Sequence, residues 1–451
     1  MSPAIRILQI SYNGKKLSTG TVLSDNHMDC RIFGFSIECR KKIKWTGVLN
    51  MENNNENSNI STNQDAVPHK RRAHYSGKYP RRFEEKYKEQ NPEKYQDEIE
   101  HIIGKGNTPA GMHIPIMVAE VLDALKIQPG DIGLDCTLGY GGHSTRILET
   151  LLGKNHVEDN SSFDAGDMMK SSNTGTDSVS NRTNYGHLYS IDYDPIEIEK
   201  TTKRLRDRGF DEAIWTPIHD NFRNIDKISA EYGHFDFVMA DLGVSSMQID
   251  NPERGFTWKA DGPLDLRFNP EQGESAAEHL SHLSEDDIEH ILTENSDEPY
   301  AKDIAKAIHH VYWRGGSIET TAALRSIVEK ALLEDSKTFK KLPAKEQDET
   351  LKKSLARVFQ ALRIEVNQEL TVLDEFLEKL PGILKPGARV VILTFHSGED
   401  RLVKKSFKTL EKSGVYSAVA RDVIRPTKEE CYRNPRAHST KLRWAVRTSS
   451  L

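Results

Sequence analysis

Residues 134–144 read LDCTLGYGGHS, and this stretch decides the fold. An apolar run at 132–136 leads into a loop, and a helical pattern follows from near Ser144. The loop glycines are Gly139, Gly141 and Gly142. Because glycine lets a backbone approach a ligand closely at a helix N-terminus, the stretch predicts a strand, a ligand-binding turn and a helix. Ser144 stands where a dinucleotide fingerprint has Gly or Ala, which disfavours an NAD(P) site.

Strand and helix patterns alternate on both sides of this stretch. Helical spacing recurs at 118–125, 195–208 and 359–380, and apolar strand patterns occur at 187–191, 213–217, 235–240 and 389–395. This alternation predicts an α/β fold, a parallel sheet with helices on both faces. Residues 276–355 show only helical patterns, which predicts a helical domain inserted into the sheet. The KPG tripeptide at 385–387 predicts a turn, and the alternating residues 441–447 predict a last antiparallel strand.

Acidic residues follow two of the predicted strands. Asp192 lies in YSIDYDP, where doubly wound folds place an acid that binds ribose hydroxyls. It comes 50 residues after Gly142 instead of roughly 20, and a polar insertion at 154–186 accounts for the excess. Asp241 follows the run at 235–240, so it is expected at the same crevice. An Asp at a strand end can also be a simple turn former.

His396 lies in TFHSGEDRLVKKSF, residues 394–407, after the later strand. A histidine there could orient a substrate or move a proton, and it could equally be structural.

The four cysteines form no CxxC pair, which argues against a structural zinc site and against disulfides, and no metal is expected. The chain has 451 residues, a net charge of −6 and no long apolar run, so no membrane span is expected.

The amino-terminal part of the chain differs in composition from the rest. Its first 24 residues are basic and contain no acid, which is typical of a transit peptide and also of a disordered terminus. Residues 50–66 are rich in Asn and predicted to be disordered. A basic stretch at 69–83 carries two tyrosines and is either an RNA contact or a solvated linker.

These patterns divide the chain into four segments: a disordered or targeting extension at 1–110, a first core segment at 111–270 with the surface insertion 154–186, the helical domain at 271–356, and a second core segment at 357–451.

Seven stretches together resemble the small-subunit rRNA methyltransferase H family (RsmH or MraW), including its mitochondrial members. In chain order they are HIPIMVAEVLDAL, DCTLGYGGHS, IDYDP, FDFVMADLGVSSMQIDNPERGFTWKADGPLDLRF, FQALRIEVNQEL, LKPGARVVILTFHSGEDRLVK and NPRAHSTKLR. The resemblance implies a class I S-adenosylmethionine-dependent methyltransferase, a Rossmann-like doubly wound sheet with an inserted all-helical domain. It also implies N4-methylation of a cytidine in the decoding region of small-subunit rRNA.

The resemblance also implies site residues. The cofactor contacts fall on Gly141, Gly142, His143, Asp192, Phe222, Asp241 and Gln248. Transfer to an amine needs an acceptor for its hydrogen, and our hypothesis is that Asp241 or a nearby carbonyl supplies it, with His396 as second candidate. The expected partner is small-subunit rRNA or an assembling subunit. The helical insertion and the basic segments 401–408 and 433–443 are the expected RNA surfaces.

Other interpretations stay open at this point. The same fold could methylate DNA, protein or a small molecule, and a ribosome-assembly factor could bind RNA without catalysis. The long extension and the insertion at 154–186 favour a eukaryotic organellar protein in the mitochondrial matrix, with the cytoplasm as the alternative.

Overall fold

The computed structural model describes residues 115–153 and 186–449, together with the backbone of two strands near the amino terminus, β1 (Arg6–Tyr12) and β2 (Lys15–Thr21). These strands pair antiparallel, and they belong to a unit, residues 1–75, separate from residues 76–451. The prediction of disorder is wrong for these two strands. In the sequence they flank Asn13-Gly14, a dipeptide typical of a two-residue hairpin.

The other predictions for 1–110, including the basic stretch 69–83, lie outside the described residues. The same holds for residues 154–185 of the predicted insertion. Among the described residues, no helix combines the length and apolar character needed to cross a membrane.

The main unit is built on a seven-stranded sheet with the order β5-β4-β3-β6-β7-β9-β8. Its strands are β3 (Ile132–Asp135), β4 (His187–Asp192), β5 (Trp215–His219), β6 (Phe235–Asp241), β7 (Leu384–Thr394), β8 (Tyr416–Val419) and β9 (Lys441–Arg447). Strands β3 to β7 are parallel, and β9 runs antiparallel to both β7 and β8. The chain proceeds outward from β3 to β5 and returns on the other side of β3 with β6. The carboxyl ends of β3 and β6 therefore form the crevice where doubly wound folds bind ligands.

Eight helices accompany the sheet strands: α1 (Val118–Leu125), α2 (Gly142–Leu151), α3 (Pro195–Asp207), α4 (Ile225–Tyr232), α5 (Ser246–Asp250), α11 (Glu369–Lys379), α12 (Ser397–Lys412) and α13 (Lys428–Arg433). Five more form a helical block: α6 (Ala276–His282), α7 (Glu285–Ser296), α8 (Ala301–Trp313), α9 (Thr321–Lys330) and α10 (Ala344–Val366). Helix α9 continues into a π-helical turn at Ala331–Asp335, and short 3₁₀ turns occur at Phe222–Asn224, Pro252–Arg254, Phe339–Lys341, Leu380–Ile383 and Pro435–Ser439.

Both faces of the sheet are covered by apolar side chains. Val238 and Ala240 of β6 pack in one cluster with Phe376 of α11, and Phe237 and Met239 pack in another with helices α1 and α2. All five side chains are fully buried. A strand buried on both faces has apolar residues on both, which explains why the buried run 237–240 of β6 reads FVMA without polar alternation.

The helical block has its own apolar core, which includes Ile288, Ile304 and Phe359. Phe256 and Leu264, from the loop that precedes the block, also pack in this core. Helix α10 runs without a break across the predicted boundary at 356. The division into domains therefore stays a prediction, and the packing of the helices does not follow its limits.

Two local predictions were wrong. The single helix predicted at 359–380 is broken between α10 and α11, where Gln368 has a φ of 51°. The Asn367 side chain holds this break, because its Nδ2 donates to the carbonyl oxygens of Leu266 and Arg363. The turn predicted at 385–387 lies within β7, at an irregularity in its pairing with β6 where Gly387 has a φ of 81°.

Candidate active site

A cavity of about 420 Å³ lies at the carboxyl ends of the parallel strands. A volume of this size is typical of small-ligand sites. Six of the seven residues predicted to contact a cofactor line it: Gly142, His143, Asp192, Phe222, Asp241 and Gln248. The seventh, Gly141, lies in the same loop directly before α2. The crevice predicted from strand ends and glycines is therefore present.

The glycine-rich loop adopts a backbone that other residues disfavour. Gly139 and Gly141 have φ values of 48° and 80°, and a Cβ on Gly141 would lie 2.9 Å from the Thr201 side chain. A Cβ on Gly142 would lie 3.0 Å from Pro115. Helix α2 begins at Gly142, so its first N–H groups lie at the cavity wall.

Asp192 is anchored at the end of β4 by backbone donors. Its Oδ2 accepts a hydrogen bond from Gly139 N at 2.6 Å, and its Oδ1 accepts one from Asp194 N at 2.8 Å. Burial raises the pKa of Asp192 to about 7, although these two hydrogen bonds oppose the increase. Each carboxylate oxygen has a second lone pair. The carboxylate can therefore also accept hydrogen bonds from two ligand hydroxyls.

Asp241 has a buried oxygen without a partner. Its Oδ1 has no hydrogen bond, while Oδ2 lies 3.5 Å from His143 Nδ1. Burial, with the nearby charges of Asp135 and Glu399, raises the pKa of Asp241 to about 8. Buried acceptors in folded proteins are nearly always hydrogen-bonded, so this oxygen indicates a ligand donor.

The neutral tautomer of His143 is compatible with a protonated Asp241 carboxyl group. Its Nε2 lies 2.9 Å from the Ile116 carbonyl oxygen, which can only accept, so Nε2 carries the proton. Burial lowers the pKa of His143, which favours the neutral ring. Its Nδ1 is then an acceptor facing Asp241.

Phe222 and Gln248 line the cavity in different ways. The Phe222 ring packs edge-on against Phe376, with 5.3 Å between ring centroids. Gln248 Nε2 donates to Asp194 Oδ2 at 2.8 Å, and its Oε1 accepts from Ser245 N at 2.9 Å. Both polar groups of Gln248 are thus engaged within the protein. Direct cofactor contacts by Phe222 and Gln248 stay predictions.

His396 caps the N-terminus of α12. Its Nδ1 accepts from Glu399 N at 3.4 Å, and its Nε2 lies 3.1 Å from Glu399 Oε1. Phe395 and Glu399 line the cavity, and His396 is not among the lining residues. The geometry gives His396 a part in positioning Glu399, and its catalytic role stays a prediction.

The sequence did not indicate the cavity residues contributed by α10 and α11. Arg363 donates through Nε and Nη2 to the two carboxylate oxygens of Glu369, at 2.7 and 2.9 Å. Burial alone would raise the pKa of Glu399, but His396, the Phe395 N–H and the charge of Arg363 hold it below its usual range. The one available signal was the spacing in FQALRIEVNQEL, which puts Arg363 and Asn367 on one helix face.

Three of these side chains form a group that could hold a cation. Ligand atoms of Glu369, His396 and Glu399 lie within 4.8 Å of one another. Arg363 already occupies both oxygens of Glu369. Both oxygens of Glu369 are therefore engaged without a metal ion, and the expectation that no metal binds stays a prediction.

A second buried network joins the cavity wall to the loop that leads to the helical block. Arg254 Nη1 donates to Asp194 Oδ2 at 2.6 Å, and the two side chains are only 7% and 1% exposed. Arg254 Nη2 also donates to the carbonyl oxygens of Arg267 and Phe268. Because Phe268 lines the cavity, this pair fixes one part of its wall.

The chain matches the MraW methylase family over residues 110–168 and 176–448. The chain belongs to this family. It is 55% identical over 379 residues to "Ribosomal RNA small subunit methyltransferase H 1" of Agathobacter rectalis, an alignment that covers 84% of this chain and 98% of that protein. It is 52% identical over 401 residues to the protein of the same name from Lachnoclostridium phytofermentans, covering 88% and 99% of the two chains.

Among solved structures, an rRNA methylase of Streptococcus thermophilus aligns with a TM-score of 0.30 and 11% identity, over 75% of this chain and 99% of that one. Membership of the MraW family establishes the chain as a methyltransferase with the class I fold that uses S-adenosylmethionine. The relatives named above are bacterial and do not support the predicted eukaryotic origin.

The described residues suit S-adenosylmethionine, the cofactor of the MraW family. S-adenosylmethionine carries ribose hydroxyls and a positive sulfonium. The cavity offers the anchored carboxylate of Asp192 to hydroxyls, and the unpartnered oxygen of Asp241 and the ionised Glu399 provide negative potential. Gly139 and Gly141, which have positive φ values, leave the backbone of the same wall open to close approach by a ligand.

Proposed function

We propose that the chain methylates the exocyclic N4 amine of a cytidine in the decoding region of small-subunit rRNA. The observation that carries the proposal is the buried, unpartnered Oδ1 of Asp241 at the carboxyl end of β6, beside the glycine loop and Asp192. An unsatisfied acceptor at that point suits a substrate that donates an N–H. The names of the bacterial relatives support small-subunit rRNA as the substrate.

The reaction requires the protein to position the amine and to provide an acceptor for one of its hydrogens. The lone pair of a cytosine amine is delocalised into the ring, so the amine is a weak nucleophile. S-adenosylmethionine supplies a methyl group that is already activated by the sulfonium. The walls of the cavity must align the amine with that methyl group, and an oxygen must accept an amine hydrogen as positive charge develops on nitrogen.

Asp241 is suited to this acceptor role once it is ionised. With a pKa of about 8, its carboxyl group is largely protonated at neutral pH in the free protein. Positive charge brought into the cavity favours the ionised form and lowers this pKa. The ionised carboxylate accepts an N–H about twice as strongly as a neutral oxygen does. Asp241 then holds the amine and stabilises the charge that develops on it.

The target cytosine must be unstacked from its neighbouring bases in the RNA to reach Asp241. Extrusion costs a few kcal/mol and costs least where RNA is single-stranded. A single-stranded segment of rRNA, free or in an assembling subunit, is therefore the proposed partner.

The cellular compartment is a separate proposal. The composition of the amino terminus favours the mitochondrial matrix, whereas the bacterial source of the relatives favours the cytoplasm, and we adopt the cytoplasm. Fractionation of the source cells followed by immunoblotting tests it, and recovery of the protein in an organellar matrix would reverse this choice.

The function is tested by methyl transfer from radiolabelled S-adenosylmethionine to small-subunit rRNA, followed by mass spectrometry of the nucleosides. We expect label in N4-methylcytidine with the wild type and none with Asp192→Ala. Asp207→Asn is the matched control, because Asp207 is an exposed acid paired with Lys203 on α3. Label in another nucleoside would refute N4 specificity. Cofactor binding with no label on rRNA or on immature subunits would refute the substrate.

A further inference from the structure

Helix α12 begins at the cavity and carries a row of cations along its exposed face. Phe395 and Glu399, at its N-terminal end, line the cavity. The exposed cations farther along are Arg401, Lys404, Lys405, Lys408 and Lys412. At 3.6 residues per turn these five fall within a sector of roughly 100° and extend over about 16 Å. We call them the α12 stripe.

No acid of the described part of the chain pairs with the α12 stripe, including Glu411, which lies beside it on the same helix. None of its cations forms an ion pair or side-chain hydrogen bond with a described residue. Asp400, on the same helix, is engaged by Lys441 and Arg443 of β9. The neighbouring helix α11 exposes Asp374 and Glu378, and neither pairs with the stripe. Five unpaired cations on one face favour a polyanion more than a protein surface of mixed charge.

The interior of the cavity has the opposite character. Asp192, Asp241, Glu369 and Glu399 all line it, and Glu369 has its own cation in Arg363. A phosphate would be repelled by the ionised Glu399, and by Asp192 and Asp241 once they ionise, whereas an uncharged base would not. A nucleotide whose base enters the cavity therefore keeps its phosphates outside, and the α12 stripe is the row of cations that starts at this edge.

We propose that the α12 stripe binds the phosphate backbone of the single-stranded RNA that flanks the target base. This inference rests on the proposed function, because it takes RNA as the substrate. The stripe contributes affinity without base specificity, since phosphate contacts position a strand and do not read its sequence. The cavity selects the base, and the stripe fixes the direction in which the strand leaves it.

The test compares two triple variants of the full-length protein. Lys404→Gln, Lys405→Gln and Lys408→Gln remove three charges from the stripe. Lys126→Gln, Lys203→Gln and Lys227→Gln remove three exposed cations beside α1, on α3 and on α4, outside every segment expected to bind RNA. The Kd of a single-stranded small-subunit rRNA fragment is measured against salt concentration. S-adenosylmethionine affinity and circular dichroism verify that each variant is folded.

We expect the stripe variant to lose about 2 from the slope of log affinity against log salt, as three lost phosphate contacts on a single strand predict. Its KM for RNA rises at least tenfold at low salt, while kcat at saturating RNA is unchanged. The control variant keeps the wild-type slope. An unchanged slope in the stripe variant, or an equal loss in the control, would overturn the inference. So would unchanged RNA binding with lost binding to anionic phospholipid vesicles, which would assign the stripe to a membrane surface.

The two proposals fail in different ways. If the wild type binds the fragment through the stripe but methylates a different nucleoside, only the cytidine assignment is lost. If it forms N4-methylcytidine and the salt slope is the same in all three proteins, only the stripe is refuted.

Discussion

At the scale of single residues, the cavity contains acids that destabilise the protein in the absence of a ligand. Asp192 and Asp241 are held where burial raises their pKa to about 7 and about 8. Perturbed acids of this kind cluster at functional sites, because a site prepared for a ligand is not satisfied by the protein alone.

The first prediction concerns stability. The pKa of Asp241 rises from 3.8 to about 8 on folding, so the unfolded chain loses this proton at lower pH than the folded one. Its contribution to stability is therefore present below about pH 4 and is lost as pH rises towards about 8. Asp241→Asn should remove that loss and stabilise the protein at pH 8.5 relative to pH 5 by roughly 4 kcal/mol, measured by urea unfolding. Asp207→Asn should show no such difference between the two pH values, and equal gains at both would refute the explanation.

The second prediction concerns turnover. If ionised Asp241 accepts the amine hydrogen, kcat/KM should rise with pH and level off above about 8. Asp241→Asn should lower kcat roughly 100-fold and flatten this profile. An Asn variant that binds S-adenosylmethionine and keeps full turnover would rule out the carboxylate as acceptor and leave a backbone carbonyl as the candidate.

Some site residues could be predicted from sequence because they belong to the sheet. Asp192 and Asp241 are the last residues of β4 and β6, and Gly142 comes after β3. The carboxyl ends of neighbouring parallel strands meet at one edge of the sheet. Arg363 and Glu369 lie over 120 residues beyond Asp241, and only the packing of α10 and α11 brings them to the same cavity. No local pattern contains that information.

At the scale of elements, the buried pair Arg254–Asp194 couples the loop after α5 to the start of α3. Removing one partner of a buried pair leaves an uncompensated charge. The third prediction is that Arg254→Met lowers the free energy of unfolding by roughly 3 kcal/mol and weakens S-adenosylmethionine binding, because Asp194 N also holds Asp192. Lys203→Met, which breaks the exposed pair with Asp207, should cost under about 0.5 kcal/mol.

A double variant distinguishes charge from packing in this pair. Combining Arg254→Met with Asp194→Asn should recover part of the stability lost in Arg254→Met, since no charge is then left unpaired. Additive losses would show that the guanidinium acts through its hydrogen bonds to the carbonyl oxygens of Arg267 and Phe268 alone.

Elements were predicted well where periodicity was local and poorly where tertiary contacts decide. The bounds of β9 match the alternating run at 441–447, because alternation reports the two faces of a strand directly. The break between α10 and α11 contains no Gly or Pro. It is imposed by the hydrogen bonds of Asn367 to a loop 100 residues earlier, which no sequence window covers.

At the scale of the whole molecule, the charge of the cavity should couple ligand binding to pH. The fourth prediction compares S-adenosylmethionine, a cation, with its demethylated thioether product, which lacks the sulfonium charge. As pH rises from 6 to 9, Asp192 and Asp241 ionise, so the affinity ratio should shift several-fold towards the cation. Calorimetric titration measures both Kd values. Asp241→Asn should reduce this shift, and a pH-independent ratio in the wild type would contradict the charge argument.

Helix α10 has a mechanical consequence for the molecule. It is one unbroken helix of 23 residues, about 34 Å long, with its middle in the core of the helical block and Arg363 near its far end in the cavity wall. A straight α-helix transmits a tilt along its whole length. A rotation of about 5° at Ala344 displaces Arg363 by about 2.5 Å, since the two are about 28 Å apart along the axis. A tilt of the helical block would therefore move Arg363 and change the shape of the cavity in which the methyl group is transferred.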